Sequence, residues 1–355
     1  MIFSKKIVGN SRNAAAQWAE VTYMRNMCHQ HELGYSAQAR RFGNLHVNEG
    51  SIPIDVWKDF DNVTVEIMHL DDGDAFLNDL LPLSSSVNIG KLTQSFRQAS
   101  DAGLVQTSMT GQIGVKLDKV DYSFDGAIIP IHDAGFKRNW REWNAQQSEG
   151  FDALIDDQRE NVRSVREHMA DQFMDGHVDT DGNPIVVDSL SWGGMRNDSR
   201  VVQVDLGAGD INFDFTDVTK TGDEIKAAFI QIRDIMRITS KCTLDITYYI
   251  SEEIASNFER KFSANYDADL IEIELARLRG VATIKSTNKL IGNQIMGFPL
   301  DRSKIRPIVG MALNTIAMPR PVYNSDYLFV TWTATGFQIR EDFAGNSCVF
   351  YAEVP

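Results

Sequence analysis

Three cysteines, Cys28, Cys242 and Cys348, are all that 355 residues contain. They are odd in number and far apart, so no disulfide framework is expected, and folding in a reducing compartment fits best. Long apolar runs are missing too. None approaches the ~18 consecutive apolar residues of a membrane helix. The opening MIFSKKIVGN has two lysines with no apolar stretch behind them, so no signal peptide is expected. Basic residues are in deficit, 35 Lys and Arg against 49 Asp and Glu, for a formal net charge of −14. That balance excludes a protein whose affinity for nucleic acid rests on a basic face gripping phosphates. It does not exclude a wall around nucleic acid, since net negative charge keeps DNA off such a wall.

Catalytic motifs are equally scarce. There is no phosphate loop ending in Gly-Lys-Ser/Thr, no Gly-x-Ser-x-Gly elbow and no His-Glu-x-x-His. CHQH places Cys28, His29 and His31 close together, but a structural zinc needs four ligands and no second cluster completes this one. DGHVDTDGNPIVVD offers Asp175, Asp179, Asp181, Asn183 and Asp188. Its glycine falls too early for a calcium loop and no Glu closes it, so a helix stop followed by an Asp-Gly turn explains it better. DLGAGD holds Gly207 and Gly209 after a strand, without the third glycine or the immediate helix of a dinucleotide site. No pair of carboxylates stands in an apolar setting that would split their roles. No catalytic residue, metal ligand or cofactor site is therefore expected, and an enzyme is not the first choice.

What is present is ordinary globular composition, 43% hydrophobic and 24% charged, in a chain long enough for two or more domains. Its longest predicted helix is Glu149 to Gly176, roughly 40 Å at full length, stopped by Gly176. The apolar residues Phe151, Leu154, Ile155, Val162, Val165, Met169 and Phe173 form a thin stripe, broken at Gln158. So narrow a face suits a strut across a thin, extended subunit better than a compact enzyme core or a coiled coil.

Around that helix the chain divides unevenly. Residues 1–50 read as an arm, with one helix over Asn13 to Gly34. Residues 51–84 hold the strand NVTVEIMHL and a short helix, GDAFLNDLLPL, stopped near Pro82. Residues 85–130 suggest two long alternating strands around a Gly-, Ser-, Thr- and Asp-rich turn, with too few apolar residues to close a core. A two-stranded arm is marginal alone in water, and a neighbouring subunit is the natural thing for it to lie on. Val87, Ile89, Leu92, Phe96, Val120 and Tyr122 are its expected intersubunit contacts. Residues 200–335 alternate strand and helix, including TGDEIKAAFIQIRDIMR with Thr221 and Glu224 as a capping box. SDYLFVTWTATGFQIREDFAGNSCVFYAEVP is expected to end the chain as a hairpin turning at EDFAGN.

In this order the segments resemble the major capsid proteins of tailed bacteriophages, whose Hong Kong 97-type fold encapsulins share. SDAG (Ser100 to Gly103) sits where the family's hairpin turns, and FKRNWREW stands just before the long helix. LIGNQIMGFPLDRSKIRPIVGMALNTIAMPRP is similar to a late segment of the encapsulin-like branch, and REDFAGN to the final hairpin. The resemblance implies an α+β chain with an N-terminal arm (1–50), the first part of a peripheral domain (51–84) and an extended E-loop hairpin (85–130). The peripheral domain with its spine helix (131–199), an axial α/β domain (200–335) and C-terminal strands of the peripheral domain (336–355) follow.

The same resemblance implies a shell protein that assembles with itself into hexamers and pentamers of an icosahedral head, enclosing double-stranded DNA without sequence-specific binding. The implied partners are a portal, a separate scaffold and cement proteins, with no membrane. The implied location is the virion, after assembly in the host bacterial cytoplasm. Many members carry an N-terminal scaffolding region; here only the short arm precedes the rest, so a scaffold is expected to be a separate protein or absent. Some members cross-link a hairpin lysine to a neighbour's asparagine; Lys91, Lys116 and Lys119 are available here, and nothing in the sequence marks one as activated. An encapsulin-type nanocompartment and an α/β enzyme of unknown reaction remain the alternatives, the former usually with a shorter chain.

Overall fold

A computed structural model describes residues 22–23, 75–102, 105, 107, 109, 114, 117–143, 153–207, 209–263, 269–320, 322 and 324–354. In chain order these form α1 (Ala75–Leu80) with a 3-10 turn at Leu81–Leu83, β1 (Ser85–Ser86), β2 (Thr93–Ala99), β3 (Tyr122–Ile128) and β4 (Ile131–Arg138). Then come α2 (Ala153–Asp175), α3 (Gly194–Asn197), β5 (Val202–Asp205), α4 (Gly222–Asp234) running into a π-helical turn at Ile235–Thr239, and β6 (Ile246–Ile250). Last are α5 (Glu252–Phe258), α6 (Ile271–Ala276), β7 (Val281–Ser286), β8 (Ile295–Phe298), β9 (Ile305–Ala317), β10 (Tyr327–Ile339) and β11 (Phe350–Glu353). The strand NVTVEIMHL and the CHQH run lie outside the described residues, as does the expected arm apart from the helical Thr22 and Tyr23.

Local chemistry sets the element ends. Pro82 closes the turn after α1, where a missing N–H costs nothing. Gly176, at φ +100°, takes the left-handed conformation that ends α2. At α4 the Thr221 hydroxyl accepts from the Glu224 N–H at 3.3 Å, while the Glu224 carboxylate accepts from the Thr221 N–H at 2.8 Å. That is the expected capping box. Ser251 caps α5 by accepting from the Ile254 N–H.

Two compact units result. The first contains Met1–Leu92, Ile129–Gln172 and Pro307–Gly336. Its sheet has the order β1-β9-β10-β4, with β1 parallel to β9 and β4 antiparallel to β10 from Tyr327↔Arg138 to Ala334↔Ile131. Leu154 of α2 packs with Trp143, Ala317, Tyr327 and Phe329. The Trp143 and Tyr327 rings meet edge-on at 4.3 Å. The stripe on α2 proves wider than the sequence suggests. Gln158 is fully buried rather than a break, and Arg166 is buried too, donating to Asn78 Oδ1 at 2.9 Å. Hydrogen-bonding partners on β9 and α1 make these polar burials tolerable.

The second unit contains Thr93–Ile128, Phe173–Arg306 and Phe337–Pro355. Its five-stranded sheet has the order β5-β11-β8-β6-β7, mixed in direction. Phe229, Tyr248, Phe258 and Phe350 lie in its core, each fully buried. Burying one such ring contributes about 2–3 kcal/mol. Phe173, Trp192, Phe298 and Phe337 form a further aromatic cluster, the Phe173–Phe337 centroids 4.9 Å apart.

Strand pairing departs from the expected map in two places. Asp342 does build the turn at EDFAGN, accepting from the N–H groups of Ala344 and Asn346 at 2.9 and 2.7 Å. The strands on either side of that turn do not pair with each other: β11 lies between β5 and β8, whereas β10 lies between β9 and β4. Phe350, Tyr351 and Ala352 are buried on both faces, which suits a central strand and not a half-exposed hairpin. Consequently Phe337–Pro355 falls in the second unit with Phe173–Arg306, while β10 pairs with β4 over 131–138 and β9 lies between β1 and β10. Cys242 and Cys348, expected to stay apart, are joined in a disulfide that closes a loop of 106 residues. Sequence distance says nothing about proximity once the sheet forms.

Candidate assembly surface

The alternating segment does form a two-stranded antiparallel ribbon, in register from Thr93↔Ile128 to Ala99↔Tyr122. Ser100 and Asp121 extend it by one pair, the Ser100 N–H donating to the Asp121 carbonyl at 2.9 Å. Gly103 of SDAG, and with it the expected turn, lies outside the described residues. Between the two strands, Val105, Met109 and Leu117 are fully exposed.

Alternation gives the ribbon two unlike faces. One carries Gln94, Phe96, Gln98, Ser123, Asp125 and Ala127. It lies on its own chain. The Gln98 side chain donates to the Glu341 carbonyl at 3.5 Å, Gln338 donates to the Gln94 carbonyl at 3.4 Å, and the Arg340 guanidinium covers the Phe96 ring at 5.1 Å. The Ser123 hydroxyl donates to Gln98 Oε1 at 2.8 Å across the strands. The other face carries Ser95, Arg97, Ala99, Tyr122 and Phe124. Phe124 is 73% exposed and Tyr122 54% exposed, with the Arg97 guanidinium 4.5 Å above the Tyr122 ring. Two exposed aromatics on a sheet face are unusual outside an interaction surface.

The sequence-predicted contacts are distributed unevenly over this geometry. Leu92 is 66% and Val120 38% exposed, and Tyr122 stands on the open face. Phe96 faces the other way and is half-buried beneath Arg340. Ile89 is half-buried. Val87 is only 7% exposed, its N–H bonded to the Val309 carbonyl at 2.9 Å, so its own chain already covers it. Phe124, which the sequence places in the same alternation as Val120 and Tyr122, is not among the expected contacts, yet it stands beside Tyr122 on the open face. Lys91 and Lys119 are exposed, Lys119 lying 3.3 Å from Asp121. Lys116 is outside the described residues.

At the ribbon's base sits a buried charge cluster. Arg200 makes a two-pronged pair with Asp198, Nε and Nη2 each donating at 2.7 Å. Burial opposes the charge on Asp198, but the Arg200 guanidinium together with the N–H groups of Gly193 and Arg200 outweighs it and holds the carboxyl below the usual range. Glu341, beside this cluster, is pushed up by burial. Asp179 caps its own turn, accepting from the N–H groups of Asp181 and Asn183 at 2.9 and 2.8 Å. Asp205 does the same for Gly207 at 2.6 Å. Among the described residues no three His, Cys, Asp or Glu converge as a metal's ligand set, and no helix is long and apolar enough to cross a membrane.

Solved structures with the same fold are found. A virus-like particle from Pyrococcus furiosus matches with a TM-score of 0.52 at 13% identity, over 84% of this chain and 100% of the other. The capsid of Myoviridae phage XM1 matches with a TM-score of 0.56 at 12% identity, over 79% and 91%. The capsid of a native GTA particle matches with a TM-score of 0.51 at 15% identity, over 80% and 91%. At these identities the likeness establishes a shared mixed α+β fold. No curated protein matches the sequence. One family model does, across residues 47–352, and the chain belongs to that family of unknown function, DUF6260.

Proposed function

We propose that this chain is the major capsid protein of a tailed double-stranded DNA bacteriophage, with a Hong Kong 97-type fold. It assembles with itself into the hexamers and pentamers of an icosahedral head that encloses the genome, and it carries out no catalysis. One observation carries the reading: a ribbon seated on its own chain by one face presents Tyr122 and Phe124 to solvent on the other. A single subunit has no use for that face, whereas a second copy would bury it. The fold likeness to the capsid of phage XM1 supports the same reading. On this reading 1–50 is an arm, 85–130 the E-loop and α2 the spine helix. Portal, scaffold and cement proteins are its partners, and its place is the virion, after assembly in the bacterial cytoplasm. The net charge of −14 suits a wall that leaves packaged DNA mobile.

A second reading, a nanocompartment shell around protein cargo, is favoured by one fact. The virus-like particle is matched over its whole length. One experiment addresses both. The full chain, expressed alone or with a scaffold, is analysed by sedimentation and negative-stain electron microscopy. Rings or closed shells are expected, and Phe124→Asp is expected to abolish them without changing the melting of the subunit. A stable monomer at high concentration would overturn both readings. Particles from the native source holding protein and no DNA would replace the first by the second.

A further inference from the structure

The Arg200 guanidinium is spread across three elements. Nε and Nη2 hold Asp198, and Asp198 in turn accepts from the N–H groups of Gly193 at 3.0 Å and of Arg200 itself at 2.9 Å. Nη2 also reaches the Ser191 carbonyl at 2.7 Å, so the plane of the guanidinium is fixed within its own loop. What remains, Nη1, points at the ribbon: it donates to the Gly126 carbonyl at 2.9 Å and lies 3.5 Å from Asp125 Oδ1. Both residues are on β3 at the end nearest the rest of the unit. There the backbone runs so close to its neighbours that a Cβ on Gly126 would meet Leu190 Cδ1 at 2.8 Å and the Gln94 carbonyl at 2.9 Å. On β2 the polar ties are longer, 3.4 and 3.5 Å.

We infer that Arg200 is a positioning residue that fixes the angle at which the β2–β3 ribbon leaves its own subunit, and so presets the exposed Tyr122 and Phe124 face for a second copy. This rests on the reading of the chain as a shell protein. The reason is leverage. A strand rises about 3.3 Å per residue, so Tyr122, four residues from Gly126 on β3, lies about 13 Å from the tie. There, a tilt of about ten degrees displaces side chains by about 2 Å, more than a packed interface tolerates. Arg alone can do this. Its planar fork satisfies Asp198 with one edge and the Gly126 carbonyl with another, whereas the point charge of lysine cannot span both.

The test is hydrogen exchange on the full chain, read strand by strand, beside sedimentation of assembled particles. Two variants are compared with the wild type. Arg200→Lys keeps the charge and removes the fork. Asp125→Asn leaves the Arg200–Asp198 pair whole and weakens only its hold on the ribbon, which guards against simple misfolding at position 200. For Arg200→Lys, amides of β2 and β3 are expected to lose protection by about tenfold, the scale of one charge-assisted hydrogen bond. Amides of β6 and β8 are expected to be unchanged, and the yield of shells to fall severalfold. Asp125→Asn is expected to show the same pattern at smaller amplitude. Unchanged protection in β2 and β3, a uniform loss throughout the unit, or normal shells from a loosened ribbon would each overturn the inference. The exchange arm needs no assembly. If the wild type forms no particles, the shell reading fails while exchange still decides whether Arg200 holds the ribbon.

Discussion

Gln158 on α2 donates its side-chain amide to the hydroxyl of Thr315 on β9 at 3.2 Å, with both side chains buried. Thr315 shares a second hydrogen bond with Thr331 of β10 at 3.0 Å, and Thr333 bonds both Thr335 and the Met311 carbonyl. A polar seam thus runs between helix and sheet where an apolar contact would ordinarily be expected. Gln158→Ala removes volume and a hydrogen bond together, and should cost about 2–3 kcal/mol in urea unfolding followed by Trp fluorescence. Gln158→Leu refills the space, and Thr315 retains Thr331, so the loss should be nearer 1 kcal/mol. Equal effects for the two substitutions would show that the seam does not depend on volume at Gln158.

Acid should weaken the first unit through His132. Burial, and secondarily the neighbouring His168, hold His132 down to about 4, below its ordinary 6.5. Between those values the unfolded chain takes up a proton that the folded chain refuses. Stability should therefore begin to fall as pH drops through 6.5 and level off below about 4, with a total of about 3 kcal/mol. Carboxylates also titrate near the lower end, so the quantity to measure is the difference between wild type and His132→Phe. Parallel stability curves from pH 7 to pH 4 would count against a buried neutral imidazole.

The disulfide should be visible to both chemistry and heat. With Cys242 and Cys348 joined, denatured unreduced protein should titrate one thiol per chain, and reduced protein three. Closing a loop of 106 residues restricts the unfolded chain by about 4–5 kcal/mol. Cys242→Ser should accordingly lower the unfolding temperature of the second unit by about 10–20 °C. Three titrating thiols without reductant would refute the link.

Gly194 permits one close approach. At φ +80° it lies where a Cβ would come within 2.4 Å of the Gly176 nitrogen and the Met174 carbonyl oxygen. Gly194→Ala meets backbone on two sides and a left-handed conformation at once, so it should lose at least about 2–4 kcal/mol. Gly345→Ala, also at φ +80° but with open space around its Cβ, isolates the backbone cost and should lose about 1 kcal/mol. Comparable melting temperatures for the two variants would contradict the close packing at Gly194.

Features that neighbours along the chain can decide are legible in the amino-acid order. Thr221 and Glu224 are three residues apart and form their capping box, Gly176 stops α2, and the alternation around Phe96 and Tyr122 specifies a ribbon. Each is set by backbone geometry and side chains within a few residues, which any copy of the segment carries with it. Tertiary structure decided the partners. The turn at Asp342 is legible, yet nothing local says that β11 enters between β5 and β8 while β10 stays with β4. Gln158 reads as a gap in an apolar stripe until Thr315, 157 residues away, receives it. Nothing beside Arg200 in the chain names its partners, since Gly126 and Asp125 stand 74 and 75 residues earlier. The physical reason is the same in all three. A buried polar group or a two-faced strand is tolerable only with a partner that satisfies it. That partner is chosen by how the whole chain closes, which no local window contains.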